Sequence, residues 1–250
     1  MQSTHNTEGK PIVPRRGPYE WKHVALVSVG IAVIVLSVSM IVQQAFIPPI
    51  AIFILLALIG AGVLRVRARA GAIMLAIVSV LFFVLSLPFF VPALAVPESS
   101  VDFMTTCLTV LSLVGIVVSS VAMIRRSSGA GAMRFSMVVT VLGVLAIAGT
   151  AVARLAYEGA EAQPGDIEVV LQNIEFSPAT ISAGGSDQIS VYLENKDTVL
   201  HTFTIEELDV DVNVPGNGSA RVTFDATPGR YEIICQPHQP DMDGTLRVED

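Results

Sequence analysis

Three side chains that bind soft metals lie close together near the C-terminus of this 250-residue sequence. Two residues separate Cys235 from His238, and three more separate His238 from Met242. Thiolate, imidazole and thioether donors on one short loop favour copper, because sulfur ligands favour Cu(I) and imidazole accepts both oxidation states. His201, in the upstream segment NKDTVLHTF, is an available fourth ligand. The four residues predict two histidines and one cysteine in a trigonal plane with a weak axial methionine.

The surroundings of these four residues resemble the cupredoxin family of small β-sandwich copper proteins. The resemblance covers residues 166–250, and the matching positions outside the four residues are Phe176, Ser177, Pro178, Asn195, Lys196, Asp197, Pro228, Gly229, Tyr231 and Gly244. It implies that the four residues hold one type 1, or blue, copper ion used for electron transfer. It also implies that Asn195 hydrogen-bonds between the two ligand-bearing loops and holds Cys235 in place, and that an unidentified redox partner docks near His238.

The same residues leave alternatives open. The three-residue spacing from His238 to Met242 departs from the family's common spacings, so Asp241 is another candidate for the fourth ligand. A protein that buffers or delivers copper would use the same ligands, since they bind Cu(I). A multicopper oxidase needs more histidines than the four present, and a binuclear centre needs a second cysteine where Gln239 stands. We therefore expect an electron carrier or a copper-binding protein and not an enzyme.

The composition divides the chain into a basic apolar part and an acidic polar part. Apolar residues make up 52% of the chain and the mean hydropathy is +0.64, which is too apolar for an ordinary soluble domain. Residues 1–156 carry a net charge of +7 and residues 157–250 a net charge of −14. This division predicts a membrane domain followed by a water-exposed domain, and the acidic surface excludes nucleic acid as an expected partner.

Five apolar runs predict five transmembrane helices, with the lipid bilayer as their partner. The runs cover residues 24–47, 50–64, 71–95, 103–124 and 133–153. The preceding segment, residues 1–22, has the polar composition of a disordered tail. The predicted organisation is therefore a tail over 1–22, a membrane domain over 23–155, a linker over 156–166 and a second domain over 167–250.

The distribution of basic residues predicts the orientation of this multi-pass protein in the cell membrane. Lys and Arg occur in the tail and in the connections at 65–69 and 125–134, whereas the connections at 43–49 and 96–102 carry none. Because cytoplasmic loops are enriched in Lys and Arg, we expect a cytoplasmic N-terminus and an extracytoplasmic copper domain.

The predicted membrane helices offer few groups for chemistry. None of the four histidines lies in the middle of a span, which argues against a bis-histidine haem, and no ionisable residue lies at the centre of one, as a coupled transporter would need. Met133 and Met137 have a spacing that copper channels use, but Met is also a common packing residue. Cys107 is likewise interpreted as a packing residue and not as a ligand. We interpret the helices as an anchor or a docking platform.

Beyond the linker, apolar residues alternate with polar ones, as in half-buried strands. Two examples are Ile167, Val169 and Leu171, and Ile189, Val191 and Leu193. About seven short strands in about 85 residues predict an all-β sandwich. With the cupredoxin resemblance, the predicted fold is a membrane α-helical bundle of about five helices followed by an all-β cupredoxin-like Greek-key β-sandwich.

Overall fold

The computed structural model describes residues 19–43, 46–184 and 188–249, and it consists of a helical bundle followed by a β-sandwich. Each of five helices is long and apolar enough to cross a membrane. They are α1 (Tyr19–Val42), α2 (Pro48–Val66), α3 (Ala68–Ala95), α4 (Ser100–Ile124) and α5 (Ala130–Ala156). The five predicted helices are confirmed. The predicted tail lies outside the described residues up to residue 18, and its last four residues belong to α1.

The helix boundaries differ most from the apolar pattern between α2 and α3. Only Arg67 separates the two helices, so Arg65 and Arg69 are helical and the predicted five-residue connection is a sharp turn. The helical backbone includes the basic residues beside the apolar runs, so hydropathy alone ended α2 too early and began α3 too late. A Cβ on Gly71 would lie 2.3 Å from the backbone of Leu64, so a glycine there permits the close approach of α2 and α3.

Two long-range hydrogen bonds bring three basic segments to one end of the bundle. The indole Nε1 of Trp21 donates to Ser128 O, which joins the start of α1 to the α4–α5 connection. Lys22 Nζ donates to Arg65 O, which joins the start of α1 to the α2–α3 connection. We call this the basic end. The opposite end, formed by the α3–α4 connection and the C-terminal part of α5, is called the domain end because it contacts the β-sandwich.

Nine strands in two sheets form the sandwich over the described residues. The four-stranded sheet has the order β2 (Phe176–Ser177), β1 (Ile167–Leu171), β4 (Gln188–Asn195) and β7 (Ser219–Asp225). The five-stranded sheet has the order β3 (Thr180–Ala183), β9 (Asp243–Val248), β8 (Gly229–Ile234), β5 (His201–Ile205) and β6 (Val210–Val214). The predicted sandwich is confirmed. Its two shortest strands, β2 and β3, are too brief for alternation to reveal them.

The pairing of β5 with β8 positions the candidate ligands. These neighbouring strands are antiparallel, with Thr204 opposite Ile234. The first residue of β5, His201, and the residue that follows β8, Cys235, therefore lie at the same end of the sandwich. The apolar core beside them draws its buried side chains from residues 169–248 alone, so the sandwich has a core of its own.

The sandwich contacts the domain end of the bundle, and three hydrogen bonds join the two parts. Leu200 N donates to Asp102 Oδ2 at 2.6 Å, Gly216 N to Ser99 Oγ at 3.3 Å, and Arg154 Nη2 to Asn217 O at 2.6 Å. The predicted linker is fixed at its beginning, where the hydroxyl of Tyr157 donates to Ser219 O and accepts from Ser219 N. The metal-ligand end of the sandwich thus faces the helices.

Candidate metal centre

Three predicted ligands meet at one point between β5 and the loop after β8. His201 Nδ1 lies 3.2 Å from His238 Nδ1, and Cys235 Sγ lies 3.5 Å from the first and 3.3 Å from the second. The three residues form a group able to hold a metal ion, with ligand atoms within 4.8 Å of one another. His201 and Cys235 are fully buried and His238 is half-buried.

The triangle of ligand atoms fits a small transition-metal ion. A point equidistant from its corners lies about 1.9 Å from each atom, close to metal–imidazole bonds of about 2.0 Å and slightly short of a metal–thiolate bond of about 2.3 Å. Two imidazole nitrogens and one thiolate around one point form the trigonal set of a type 1 copper-like site, with Met242 in the loop that closes it.

Asp197 fixes the orientation of His201. Its Oδ2 accepts a hydrogen bond from His201 Nε2 at 2.9 Å, which leaves the Nδ1 lone pair directed at the metal centre. The carboxylate also accepts hydrogen bonds from the backbone nitrogens of Asn173 and Ile174. Burial acts to raise the pKa of Asp197, but these hydrogen bonds outweigh it and lower the pKa below its ordinary value. Asp197 is therefore a fixed anion beside the site.

Both imidazoles are neutral in the metal-free site at pH 7. Burial lowers the pKa of His201 despite its hydrogen bond to Asp197. Burial, together with the repulsion that a protonated His201 would exert, lowers the pKa of His238 to about 4. Neutral imidazole is the form that binds a metal ion, so the histidines require no proton loss before metal binding.

The sulfur of Cys235 is buried and held from the neighbouring strand. Thr202 N donates to Cys235 Sγ at 3.4 Å, and Thr202 Oγ1 accepts from Gln236 N at 2.8 Å. Burial raises the pKa of Cys235 to about 11, so the metal-free protein carries a thiol there at pH 7. A metal that binds as a thiolate complex must displace this proton.

The loop from Cys235 to Met242 is closed by its own backbone. Cys235 N donates to Met242 O, and His238 O accepts from both Asp241 N and Met242 N. Met242 is 1% exposed and packs within the core of the sandwich, whereas the alternative fourth ligand, Asp241, is exposed. Burial of the thioether beside the loop favours Met242 over Asp241 as the axial candidate.

The expected role of Asn195 requires a correction. Its buried amide donates to Val199 O and Val214 O, and its Oδ1 accepts from Asp197 N. These bonds tie together the loop before His201 and the end of β6, not the loop that carries Cys235. The bridge between the two ligand-bearing segments is made by Thr202 instead, because β5 and β8 are adjacent strands.

Sequence reasoning assigned no role to Asp197 or Thr202. A usable signal existed for Asp197, since a carboxylate four residues before a ligand histidine can fix its tautomer. Thr202 acts on the sulfur mainly through its backbone nitrogen, so its side-chain type carries no such signal.

The sandwich also matches a known family. Residues 138–248 match the model of the cupredoxin-like domain, and none of the curated proteins matches the chain. A reduced amicyanin variant is 18% identical, with 36% of this chain and 87% of that chain covered and a TM-score of 0.31. The Cu(I) form of another amicyanin variant is 18% identical over 37% of this chain and 90% of that chain, with a TM-score of 0.32.

A copper-containing nitrite reductase from Thermus scotoductus SA-01 is 26% identical, with 38% of this chain and 25% of that chain covered and a TM-score of 0.29. The family match begins within α5 and includes the whole two-sheet sandwich and the triangle of ligand atoms. The C-terminal part of this chain is therefore a cupredoxin-like domain, and it follows a bundle of five helices of membrane-spanning length.

Proposed function

We propose that this chain is a membrane-anchored type 1 copper protein that carries electrons on the outer face of the membrane, with His201, Cys235, His238 and Met242 as the copper ligands. The observation that carries the proposal is the triangle of His201 Nδ1, His238 Nδ1 and Cys235 Sγ, with sides of 3.2, 3.3 and 3.5 Å. Copper bound there supplies a one-electron couple between Cu(I) and Cu(II).

The surrounding residues suit electron transfer because they hold the ligands still. Asp197 fixes one imidazole, and Thr202 fixes the sulfur through its backbone nitrogen. Full burial of His201 and Cys235 excludes water from their side of the site. A site that does not rearrange on gain or loss of an electron needs little reorganisation, and rigid, buried ligands serve that purpose.

Copper buffering or delivery is the competing function, and retention of the ion separates the two. The copper-loaded full-length protein is reduced and reoxidised repeatedly in the presence of a Cu(I) chelator, and the bound copper is measured after each cycle. Because the ligands are buried, we expect an electron carrier to keep its copper throughout. Stoichiometric transfer of Cu(I) to the chelator in the first cycle would contradict electron carriage and support copper delivery.

The extracytoplasmic location of the cupredoxin-like domain is part of the proposal. It is supported by the basic end of the bundle, which collects Lys22, Arg65 and Arg67 near Arg125 and Arg126, away from the sandwich. Lys and Arg near helix ends favour the cytoplasmic side. Protease added to intact cells should remove the domain after residue 157, and protection of the domain would contradict this orientation.

We also propose that the redox partner reaches the site near His238. Of the three ligands at the corners of the triangle, His238 is the one that is only half-buried. Its edge lies on the side of the sandwich that faces the helices.

A further inference from the structure

A large cavity lies between the candidate metal centre and the helices. It measures about 1560 Å³, which exceeds the roughly 300–1,000 Å³ typical of small-molecule sites. One wall is formed by His238 with Gln236 and Pro237, and the other by the parts of α1, α2, α3 and α4 near the domain end. A molecule in this cavity can therefore contact a candidate copper ligand directly.

The helical wall of the cavity is apolar and opens toward the region that lipid would occupy. Leu81, Leu85 and Phe89 of α3 line the cavity, and each leaves more than half of its surface exposed, at 57, 66 and 63%. All three lie within a span of membrane-crossing length. This wall suits a long apolar chain that enters from the bilayer, because burial of such a chain is favourable in proportion to its apolar area.

The polar wall excludes an anionic head group. The described residues that line the cavity include four carboxylates, on Asp102, Glu175, Asp211 and Asp241, and neither Lys nor Arg. A phosphate or fatty-acid carboxylate would meet like charges without a cation to pair with. These carboxylate oxygens, and the amide oxygens of Gln236 and Gln239, can instead accept hydrogen bonds from the hydroxyl groups of a neutral head group.

The helices also cover the end of the sandwich where a protein partner would be expected. Leu200, next to the candidate ligand His201, donates its backbone hydrogen to Asp102 of α4, and both residues line the cavity. A second protein would have to separate these partners to reach His238 from this side. A small lipid-soluble carrier could reach His238 through the cavity without separating them.

We propose that the cavity binds a quinol of the bilayer, with its hydroxylated ring beside His238 and its apolar tail along α3. The inference rests on the proposed function, since it names the chemical class of the electron donor to that site. Oxidation of one quinol to the quinone releases two electrons and two protons. These electrons would reduce copper held by His201, Cys235 and His238 from Cu(II) to Cu(I) in two copies of the protein, one electron to each copy, and the protons would pass to water.

The test uses the full-length protein in nanodiscs of phosphatidylcholine, with a photoreactive benzoquinol that carries an alkyl tail as the probe. We expect saturable labelling of residues 78–93 and 236–241 in both the metal-free and the copper-loaded protein, with competition by decyl benzoquinol. Leu85→Trp, which places a bulky ring where the apolar tail would lie, should weaken binding about tenfold. The matched control is Val84→Trp on the same helix, because Val84 is exposed but does not line the cavity.

Copper and quinol give separate readouts. Labelling of the metal-free protein supports the cavity even if copper gives no type 1 spectrum, in which case the proposed function fails alone. In the copper-loaded protein, decyl benzoquinol should bleach the thiolate-to-copper band, and Leu85→Trp should slow the bleaching while leaving the band itself unchanged. The proposal is overturned if labelling is not saturable, if Val84→Trp weakens it as much as Leu85→Trp, or if bound quinol leaves the band intact.

Discussion

The two parts of the molecule treat their buried polar residues in opposite ways. In the sandwich, these residues form a connected network around one point: Asn195 holds Asp197, Asp197 holds His201, and Thr202 holds the sulfur of Cys235. In the bundle, two buried serines bond back to their own helix: Ser112 to Leu108 O and Ser119 to Gly115 O. The first arrangement positions a reactive group, and the second only satisfies a polar atom in an apolar environment.

This difference indicates where substitutions should matter. When a hydroxyl that bonds to its own helix is removed, the backbone carbonyl that accepted from it keeps its helical hydrogen bond. The loss of stability is therefore small. Removing a member of the connected network leaves several buried groups without partners. Ser99 and Asp102 at the domain end differ from Ser112 and Ser119, because they bond to the sandwich.

The largest expected effect follows the loss of the sulfur ligand. Cys235→Ser should abolish the thiolate-to-copper band completely, because no other cysteine lies near the site and the second one, Cys107, is on α4. Cys107→Ser is the matched control and should leave the band unchanged. Visible absorption of the two copper-loaded variants provides the measurement. A band that survives in Cys235→Ser would contradict the ligand assignment.

The next effect compares a buried polar residue of each part. Asn195→Ala removes three hydrogen bonds, and at about 1 kcal/mol each it should lower the free energy of unfolding of the sandwich by about 3 kcal/mol. Ser119→Ala in α4 should change stability by less than about 1 kcal/mol. Thermal or denaturant unfolding of both variants measures the difference. Equal losses of stability in the two variants would contradict the proposed difference between the sandwich and the bundle.

A smaller effect is expected for the residue that orients His201. Asp197→Asn removes the negative charge and replaces Oδ2, which accepts from both His201 Nε2 and Ile174 N, with an amide group that cannot accept, so copper affinity should fall about 10–100-fold. Glu194→Gln is the control, because Glu194 pairs with Lys196 at the surface. Competition with a copper chelator measures both affinities. Unchanged affinity in Asp197→Asn would show that the network does not support the site.

Met242 should affect the reduction potential more than the colour. Met242→Leu should keep copper and the visible band and raise the potential, because loss of a weak donor destabilises Cu(II) more than Cu(I). Asp241→Asn, which alters the exposed alternative ligand, is the control. Redox titration monitored at the band gives both potentials. A potential that shifts in Asp241→Asn and not in Met242→Leu would assign the fourth position to Asp241.

The smallest effect is expected at the ion pair between Asp166 and Arg221, which joins the end of the linker to β7. Hydrogen bonds from Arg221 lower the pKa of Asp166, so its stabilising contribution is present above the ordinary carboxyl pKa of about 3.9 and is lost as the pH falls through the lower folded value. Asp166→Asn should therefore lower the Tm at pH 7, and its difference from wild type should shrink in acid. A difference that grows in acid would contradict the assignment.

Local patterns were sufficient for the helices, the sandwich and the choice of His201, Cys235 and His238. Hydropathy and period-two alternation depend on neighbouring residues, and ligand chemistry depends on residue type. The supporting contacts depend on tertiary structure: Thr202 N reaches a sulfur 33 residues away, and Asp102 accepts from a nitrogen 98 residues away. The role expected of Asn195 was wrong for the same reason, since strand order decides which loops it can join.

The spectrum of the copper-loaded full-length protein tests the central claim most directly. With one equivalent of Cu(II), the site should show an intense visible thiolate-to-copper band and a narrow parallel hyperfine splitting in electron paramagnetic resonance, as expected when two imidazoles and a thiolate surround the ion. A colourless protein, or the spectrum of ordinary tetragonal Cu(II), would contradict a type 1 site at His201, Cys235 and His238.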